Sequence, residues 1–281
     1  MAQTVYLNGE FMPLEEARVP VLDRGFIFGD GVYEVVPIYG GRTFRWPQHL
    51  ARLERSLAAI GIANPLDREG WTELVEQIIG YHEWADQFVY MQVTRGVARR
   101  DHAFPKDARP TVFAMSSPLV LPSAAQVEQG VDAITLPDER WLHCDIKTTS
   151  LLGNVLARQA AVQAGAAECV MFRDGFLTEG AASNIWVARG DRLFAPPRDN
   201  LVLEGVRYGL IEELCRKADI RLQIRRILRE EVLAADELML SSATKEVLPI
   251  TRLDGRPVGA GRPGPVFARL HKAYQDAKAG R

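Results

Sequence analysis

The sequence predicts an α+β protein made of two α/β domains, on three observations. The chain has 281 residues, which is long for one simple core and suits two domains of medium size. Segments with strand-like alternation and segments with helical spacing follow one another along the chain, without an internal repeat or a low-complexity linker. Hydrophobic residues make up 47% of the chain and charged residues 25%, which is typical of a folded globular protein.

The first half opens with a predicted sheet. Residues 8–9 are Asn-Gly between two short apolar segments, and this pair favours a tight hairpin turn because both residues accept positive φ angles. A second hairpin is predicted to turn at residues 40–41. Apolar residues then recur at helical spacing over 50–60 and over 74–79. Further strands are predicted at 88–93 and 111–115.

The second half alternates strands and helices. Strands are predicted at 131–136, 168–172, 184–187, 193–195 and 237–241, and helices at 154–166, 206–214 and 266–279. We place the boundary between the domains after residue 120. The first domain therefore spans residues 1–120, and the second spans 121–281 and carries Lys147.

Charge and cysteine content exclude several classes of function. The formal net charge is −2 at pH 7 with Lys and Arg scattered among Asp and Glu, so neither a nucleic-acid partner nor a membrane partner is expected. The three cysteines form no C-x-x-C pair, which indicates neither a disulfide framework nor a metal site. No leader segment or long apolar run is present, so we expect a cytoplasmic protein with a small-molecule ligand.

One lysine is distinguished by its neighbours. A lysine that acts as a nucleophile must lose its proton, so it needs an apolar or small-residue setting. Four of the six lysines lie beside charged or helix-surface residues, which leaves Lys147 and Lys245. An uncharged run follows Lys147, whereas Lys245 adjoins Glu246, so Lys147 is the better candidate. On local chemistry alone, a lysine that reaches water from a strand end is still the preferred interpretation of Lys147.

The segments Trp141–Lys147 and Leu151–Ala157 resemble the cofactor-lysine region of the fold-type IV pyridoxal-phosphate-dependent aminotransferases, particularly the D-amino acid aminotransferases. Further motifs at family spacing extend the resemblance over nearly the whole chain, in order at residues 23–26, 28–36, 92–96, 178–180 and 183–184. The resemblance implies a fold-type IV pyridoxal-phosphate enzyme with a D-amino acid aminotransferase-like fold.

The resemblance also implies the cofactor and the residues that hold it. Pyridoxal 5′-phosphate is expected to form a Schiff base with Lys147, which then acts as general base and acid. A carboxylate at Glu179 would keep the pyridine ring protonated and electron-withdrawing, and Leu203 would pack against the ring. The expected phosphate-binding residues are Arg52, Val206, Arg207, Ser242 and Ala243.

Two of these phosphate-binding segments depart from the family pattern. Relatives commonly have Ile-Thr-Arg where this chain has Val206-Arg207-Tyr208, and a hydroxyl residue is frequent at the position of Ala243. Backbone N–H groups survive such changes, and Arg207 could add a compensating charge. Binding of the cofactor is therefore expected, while the side chains that contact its phosphate stay open.

Tyr33, Arg100 and His102 match the residues that bind the substrate α-carboxylate in D-amino acid aminotransferases. A guanidinium binds a carboxylate bidentately, while imidazole and phenol add directional hydrogen bonds. An Arg-x-His pair alone would be interpreted as a solvated basic loop, and its combination with Tyr33 reverses that preference. In the family this loop reaches the neighbouring subunit, which implies a homodimer with its active site near the subunit interface.

The implied reaction is transamination of D-amino acids, with D-alanine and 2-oxoglutarate giving pyruvate and D-glutamate. Alternatives with the same fold are a branched-chain L-amino acid aminotransferase, an R-selective amine transaminase and an aminodeoxychorismate lyase; the set Tyr33, Arg100 and His102 argues against them. An alternative of another class is a catalytically silent dimer that binds the cofactor or a metabolite. The presence of Lys147 and Glu179 argues against it.

Overall fold

The computed structural model describes residues 3–280. They form two compact units, each with its own sheet. The first unit runs through Val120 and includes the short segment Ile146–Leu151, and the second contains Leu121–Asp145 and the residues from Leu152 onward.

Within residues 3–280, the first unit contains an antiparallel sheet of six strands and three helices. The strands are β1 (Thr4–Leu7), β2 (Glu10–Pro13), β3 (Gly31–Tyr39), β4 (Arg42–Thr43), β5 (Gln87–Thr94) and β6 (Thr111–Pro118), and the helices are α1 (Arg24–Phe28), α2 (Trp46–Ala59) and α3 (Arg68–Gly80). The order across the sheet is β2-β1-β6-β5-β3-β4. The predicted first hairpin is confirmed: Asn8 and Gly9 have φ angles of 51° and 105°, and Val5 pairs with Met12.

The core of the first unit lies between this sheet and its two longer helices. The periodicity that predicts α2 places Leu50, Leu53 and Leu57 on its buried face, against inward residues of β3 and β5. The Asp67 side chain caps α3 by accepting a hydrogen bond from the Gly70 N–H, which satisfies one of the free donors at a helix N-terminus. Strand β3 is fully paired with β5 from Gly31 to Ile38, so its side chains are held in a fixed register.

The segment Ile146–Leu151 differs from the sequence prediction, which placed Lys147 in the second domain. In the structure this segment belongs to the first unit. The reason is hydrogen bonding to β3: the Tyr33 N–H donates to the Lys147 carbonyl at 3.0 Å, and the Thr149 N–H donates to the Gly31 carbonyl at 3.0 Å. Ile146 also packs against the core of the first unit.

In the described part of the chain, the second unit contains a mixed sheet of nine strands and five helices. The strands are β7 (Val131–Pro137), β8 (Glu168–Arg173), β9 (Phe176–Leu177), β10 (Asn184–Arg189), β11 (Arg192–Ala195), β12 (Arg221–Ile224), β13 (Glu237–Ser242), β14 (Glu246–Leu253) and β15 (Arg256–Pro257). The helices are α4 (Ala124–Gln129), α5 (Leu152–Gln163), α6 (Val206–Lys217), α7 (Arg229–Leu233) and α8 (Pro265–Lys278). The order across the sheet is β12-β11-β10-β13-β14-β7-β8-β9, and β15 pairs with β14.

Strand β14 lies in the middle of this sheet and was not predicted from the sequence. Pro249 lies opposite Met239 of β13, and a proline inside a run of residues argues against a central strand because it cannot donate to the ladder. The strand is nevertheless almost entirely buried. Burial of its apolar residues in the core of the second unit therefore outweighs the missing donor.

Residues 3–280 contain no helix that is long and apolar enough to cross a membrane. In the same part of the chain, no three His, Cys, Asp or Glu side chains gather as the ligands of a metal ion would. Cys144, Cys169 and Cys215 are free thiols, and all three are buried.

Candidate active site

Lys147 is half-buried, and its amine faces an aromatic ring. Its Nζ atom lies 4.0 Å from the centre of the Tyr33 ring, which is a cation–π distance. Its backbone N–H donates to Ser56 Oγ at 3.3 Å, so α2 and β3 together fix the backbone around the lysine. Among the described residues its Nζ has no hydrogen-bond or ion-pair partner. The structure therefore brings two of the predicted site residues, Lys147 and Tyr33, into contact.

The second candidate lysine, Lys245, has a different environment. Its Nζ donates to the Ala167 carbonyl at 3.2 Å and lies 3.4 Å from Oε2 of the buried Glu168. The amine of Lys245 is therefore occupied by a carbonyl and a carboxylate. Lys147, whose Nζ has no such partner among the described residues, is better suited to act as a nucleophile.

Arg52 is buried in the core of the first unit and forms a two-point ion pair with Glu34. Its Nε donates to Glu34 Oε1 at 2.6 Å and its Nη2 donates to Oε2 at 2.9 Å. His49 Nδ1 lies 2.8 Å from the same Oε2. Burial alone would raise the pKa of Glu34, but the charge of Arg52 and the hydrogen bonds from Arg52 and His49 hold it far below its ordinary value. Glu34 is thus a fixed anion that orients Arg52.

Arg100 and His102 lie in an exposed loop of the first unit, beside Phe28. The guanidinium carbon of Arg100 is 5.4 Å from the centre of the Phe28 ring, and the rings of His102 and Phe28 are also 5.4 Å apart. No hydrogen bond or ring contact joins Tyr33 to either residue within residues 3–280. The structure therefore brings Arg100 and His102 together on Phe28 and places Tyr33 with Lys147.

Glu179 is a buried carboxylate with three donors in the second unit. Its Oε1 accepts a hydrogen bond from Arg140 Nη1 at 2.5 Å. Its Oε2 accepts from Asn184 Nδ2 and from the Leu203 N–H, each at 3.2 Å. Burial raises the pKa of Glu179 to about 7, against the opposing effect of the Arg140 charge. Because this pKa lies near neutral pH, small changes around Glu179 shift the balance between its protonated and ionised forms.

Arg140 connects Glu179 to a second buried carboxylate. Its Nε and Nη2 donate to the two oxygens of Asp138, at 3.0 and 2.8 Å. Thr178 Oγ1 donates to Asp138 at 2.8 Å. Burial alone would raise the pKa of Asp138, but the hydrogen bonds and charge of Arg140 lower it to about 2. Asp138 is therefore ionised at neutral pH and holds Arg140 in place for Glu179.

The backbone of Leu203 lies between Glu179 and the beginning of α6. The Leu203 carbonyl accepts a hydrogen bond from Asn184 Nδ2 at 3.0 Å, so one amide contacts both Glu179 and Leu203. Asn184 also approaches Gly205 so closely that a Cβ at Gly205 would collide with its Oδ1. The glycine is thus required where the chain turns into α6.

The remaining predicted phosphate-binding residues lie at the beginning of α6 and in the turn after β13. Val206 and Arg207 begin α6, and both are buried. The Arg207 Nη2 donates to the Ala243 carbonyl at 3.4 Å. Ser242 Oγ accepts a hydrogen bond from the Lys245 N–H at 3.1 Å, which fixes the turn. The structure thus brings together the helix start and the turn that were predicted as one phosphate-binding cup.

The donors within each unit fit one part of pyridoxal 5′-phosphate. The cofactor requires an amine for its aldehyde, a carboxylate for its pyridine nitrogen and donors with positive charge for its phosphate. Lys147 offers an amine and Glu179 a buried carboxylate. The N-cap residue of α6 is Gly205, which offers no side-chain cap, and a helix N-terminus favours a phosphate group. The guanidinium of Arg207 adds positive charge to the same helix start.

Sequence reasoning missed the polar partners of the site, namely Glu34, His49, Asp138, Arg140 and Asn184. For Glu34, Asp138 and Arg140, the sequence contained a signal that could have revealed them. Glu34 interrupts an apolar strand, and an ionised residue there must find a partner. Asp138 and Arg140 stand two residues apart at the end of β7, where one guanidinium can bind its neighbour. The partners themselves lie up to 39 residues away along the chain, and spacing does not reveal them.

Comparison with known proteins identifies a matching family model and similar proteins. Residues 31–253 match the model of the family described as amino-transferase class IV. The chain is 38% identical over 273 residues to the D-alanine aminotransferase of Bacillus licheniformis, covering 97% of this chain and 96% of that protein. It is 37% identical over 272 residues to the D-alanine aminotransferase of Staphylococcus epidermidis, covering 96% of each.

Two solved structures share the fold. The branched-chain amino acid aminotransferase of Escherichia coli has a TM-score of 0.92 at 25% identity, covering 100% of this chain and 94% of that one. The branched-chain aminotransferase of the thermophilic archaeon Thermoproteus uzoniensis, solved with norvaline, has a TM-score of 0.91 at 25% identity, covering 100% and 96%. The fold class predicted from the sequence is thereby confirmed.

Proposed function

The chain belongs to the class IV aminotransferase family, and we propose that it transfers amino groups from D-amino acids to 2-oxo acids with pyridoxal 5′-phosphate as cofactor. The proposed exchange is D-alanine plus 2-oxoglutarate to pyruvate plus D-glutamate. The similarity to D-alanine aminotransferases along nearly the whole chain carries this proposal. The Lys147 amine, held beside the Tyr33 ring, supports it.

Lys147 is proposed to bind the cofactor and to move the proton of the reaction. The cofactor, when bound, withdraws electrons from Cα of the amino acid and makes its hydrogen acidic. Lys147 Nζ would accept this proton and donate it again later in the reaction. The hydrogen bonds between β3 and the Lys147 segment fix the backbone from which this side chain would act.

Glu179 is proposed to face the pyridine nitrogen, with Leu203 against the ring. A carboxylate there stabilises the protonated ring, and Arg140 favours the ionised form of Glu179. The proposed phosphate-binding residues are Arg52, Val206, Arg207, Ser242 and Ala243. Of these, Arg52 and Arg207 supply positive charge, while the helix start and the turn supply backbone N–H groups.

Tyr33, Arg100 and His102 are proposed to bind the α-carboxylate of the substrate. Arg100 can donate two parallel hydrogen bonds to a carboxylate. His102 and Tyr33 can each add one directional donor. Fixing the carboxylate decides which face of Cα meets Lys147, and so which enantiomer reacts.

A second candidate function is transamination of branched-chain L-amino acids. The likeness of the fold to the Escherichia coli branched-chain amino acid aminotransferase favours it. The two functions differ in the enantiomer that reacts and in the side chain that the site accepts. They are therefore separable with two amino donors.

We further propose a homodimer with the active site near the subunit interface. Helix α5 presents Leu152, Val155 and Leu156 to solvent, and these side chains are 72%, 58% and 62% exposed. Their spacing of three and four residues puts them on one face of the helix, and an exposed apolar face favours burial by another chain.

The free buried cysteines support a reducing compartment such as the cytoplasm.

Two measurements test the proposed function. The purified protein, loaded with pyridoxal 5′-phosphate, is assayed with D-alanine and with L-leucine as amino donors and 2-oxoglutarate as acceptor. We expect preference for D-alanine; preference for L-leucine would select the second candidate.

Borohydride reduction followed by peptide mapping should place the cofactor on Lys147, with Lys245 unmodified as the internal control. An unmodified Lys147 would contradict the assignment.

A further inference from the structure

The loop that carries Arg100 and His102 is closed at its base. Gly96 has a φ angle of 92°, and a Cβ there would collide with the Arg109 carbonyl, so the two ends of the loop touch. The Gly96 carbonyl accepts a hydrogen bond from the Arg24 N–H at 2.9 Å. The first residue of α1 is therefore hydrogen-bonded to the base of this loop.

The side chain of Arg24 reaches from α1 to the far part of the loop. Its Nη1 donates to the Asp101 carbonyl at 2.5 Å and to the Ala103 carbonyl at 3.4 Å, and its Nη2 donates to the His102 carbonyl at 3.4 Å. One buried guanidinium thus binds three consecutive carbonyls. These carbonyls belong to His102 and its two neighbours, so their position sets the position of the His102 side chain.

Asp30 holds Arg24 and a second arginine at the same time. Its Oδ2 accepts from Arg24 Nε and from Arg95 Nε, each at 2.8 Å, and its Oδ1 accepts from Arg95 Nη2 at 2.9 Å. Burial alone would raise the pKa of Asp30, but hydrogen bonds from both arginines lower it. The guanidinium of Arg95 also lies 3.6 Å above the centre of the Phe104 ring. The loop is therefore held at residues 101–103 by Arg24 and at Phe104 by Arg95.

Helix α1 supplies a second support for the same loop. Phe28 lies four residues after Arg24, on the same face of the helix, and its ring contacts the side chains of Arg100 and His102. The guanidinium carbon of Arg24 is itself 4.9 Å from the centre of this ring. Arg24 thus holds the backbone of the loop, while Phe28 supports the two side chains.

The short helix α1 is itself held rigidly. The Asp23 side chain caps it by accepting from the Gly25 N–H at 2.8 Å. The other oxygen of Asp23 accepts from Thr94 Oγ1 at 3.0 Å and from Thr111 Oγ1 at 2.7 Å. Strand β5 ends at Thr94 and strand β6 begins at Thr111, so α1 is hydrogen-bonded to both strands at the base of the loop.

We propose that Arg24 is a positioning residue for substrate recognition, which sets the places of Arg100 and His102 by binding the carbonyls of residues 101–103. This inference rests on the proposed function, in which Arg100 and His102 bind the α-carboxylate. Arg24 touches neither cofactor nor substrate in this role. Its removal should weaken binding of a carboxylate substrate and leave cofactor binding intact.

The test uses the loaded enzyme with Arg24→Met and Arg24→Lys, and with Arg18→Met as matched control. Arg18 is exposed and donates to the Glu15 and Ala17 carbonyls of its own turn. Arg24→Met should fold, because Arg95 still pairs with both oxygens of Asp30 and the freed carbonyls lie in an exposed loop that water can reach. Arg24→Lys keeps the positive charge beside Asp30 but loses the planar fork with which one guanidinium binds Asp30 and the three carbonyls together.

For Arg24→Met we expect KM for D-alanine to rise at least tenfold, kcat to stay within threefold and the Kd for pyridoxal 5′-phosphate to stay within twofold. Amide hydrogen exchange of residues 97–104 should become faster, with the exchange of β3 and β5 unchanged. Arg24→Lys should fall between Arg24→Met and the unmodified enzyme, and Arg18→Met should match the unmodified enzyme.

Three results would overturn the inference: an unchanged KM, an unchanged loop exchange, or equal losses of D-alanine and cofactor affinity in both Arg24 variants. Exchange is measured without substrate, so it does not depend on the proposed function. An unmodified enzyme that does not use D-alanine refutes the proposed function. An unmodified enzyme that uses D-alanine, with an Arg24→Met variant that behaves identically, refutes this inference alone.

Discussion

Arg140 donates a hydrogen bond to Glu179 across 2.5 Å, and both side chains are buried. The same guanidinium binds both oxygens of Asp138, so one cation lies between two carboxylates. Asp138 is ionised, while burial raises the pKa of Glu179 to about 7. The charge on the carboxylate proposed to face the cofactor ring therefore depends on Arg140.

The raised pKa of Glu179 predicts a pH-dependent stability of the cofactor-free protein. The folded chain holds the Glu179 proton up to about pH 7, whereas the ordinary pKa is 4.5. Stability from this group is thus fully present below pH 4.5 and is lost as pH rises to about 7. Thermal unfolding should show Tm falling by a few degrees more in the unmodified protein than in Glu179→Gln between pH 5 and 7.5. Parallel curves would contradict the shift.

The buried pair of Glu34 and Arg52 predicts a large stability effect. Glu34→Gln removes the anion and leaves the charge of Arg52 buried, so we expect the free energy of unfolding to fall by about 3 kcal/mol. Urea unfolding at pH 7 measures this change. Glu54→Gln is the matched control, since Glu54 pairs with Arg68 at the surface and should lose less than about 1 kcal/mol. Similar losses in both variants would rule out a special role for Glu34.

The position of Arg207 predicts that its removal weakens binding of the cofactor through the phosphate group. Arg207→Met removes a buried positive charge at the start of α6, so the Kd for pyridoxal 5′-phosphate should rise about tenfold, as for one lost charge-assisted hydrogen bond. The Kd for pyridoxal, which has no phosphate, should stay the same. Arg216→Met, at the exposed end of the same helix, is the control. Equal weakening of both ligands would mean that Arg207 supports the fold and not the phosphate.

The proposed role of Arg100 predicts that its removal impairs use of the substrate and leaves cofactor binding unchanged. Arg100→Ala removes the proposed bidentate donor, so kcat/KM for D-alanine should fall roughly tenfold to a hundredfold, while the Kd for pyridoxal 5′-phosphate stays within twofold. The adjacent Arg99 is also exposed, and Arg99→Ala provides the control. If Arg99→Ala caused the larger loss, the assignment within the loop would be wrong.

Most helices and strands followed from periodicity, because a buried face repeats at a fixed interval along the chain. The predicted helix over 206–214 extends as Val206–Lys217, and the predicted strand over 131–136 as Val131–Pro137. Strand β14 was not predicted, and its Pro249 is a residue that is unfavourable in a central strand. Only its neighbours β13 and β7, which come from distant parts of the sequence, make that position a strand.

The sequence by itself determined the order of the motifs, the uncharged run after Lys147 and the departures at Arg207 and Ala243. Only the tertiary structure showed what surrounds the two candidate lysines, by pairing Lys245 with Glu168 and placing Lys147 against Tyr33. The physical reason is that burial and charge pairing set the chemistry of an ionisable group. Both depend on contacts between residues far apart in the chain, which spacing along the sequence does not contain.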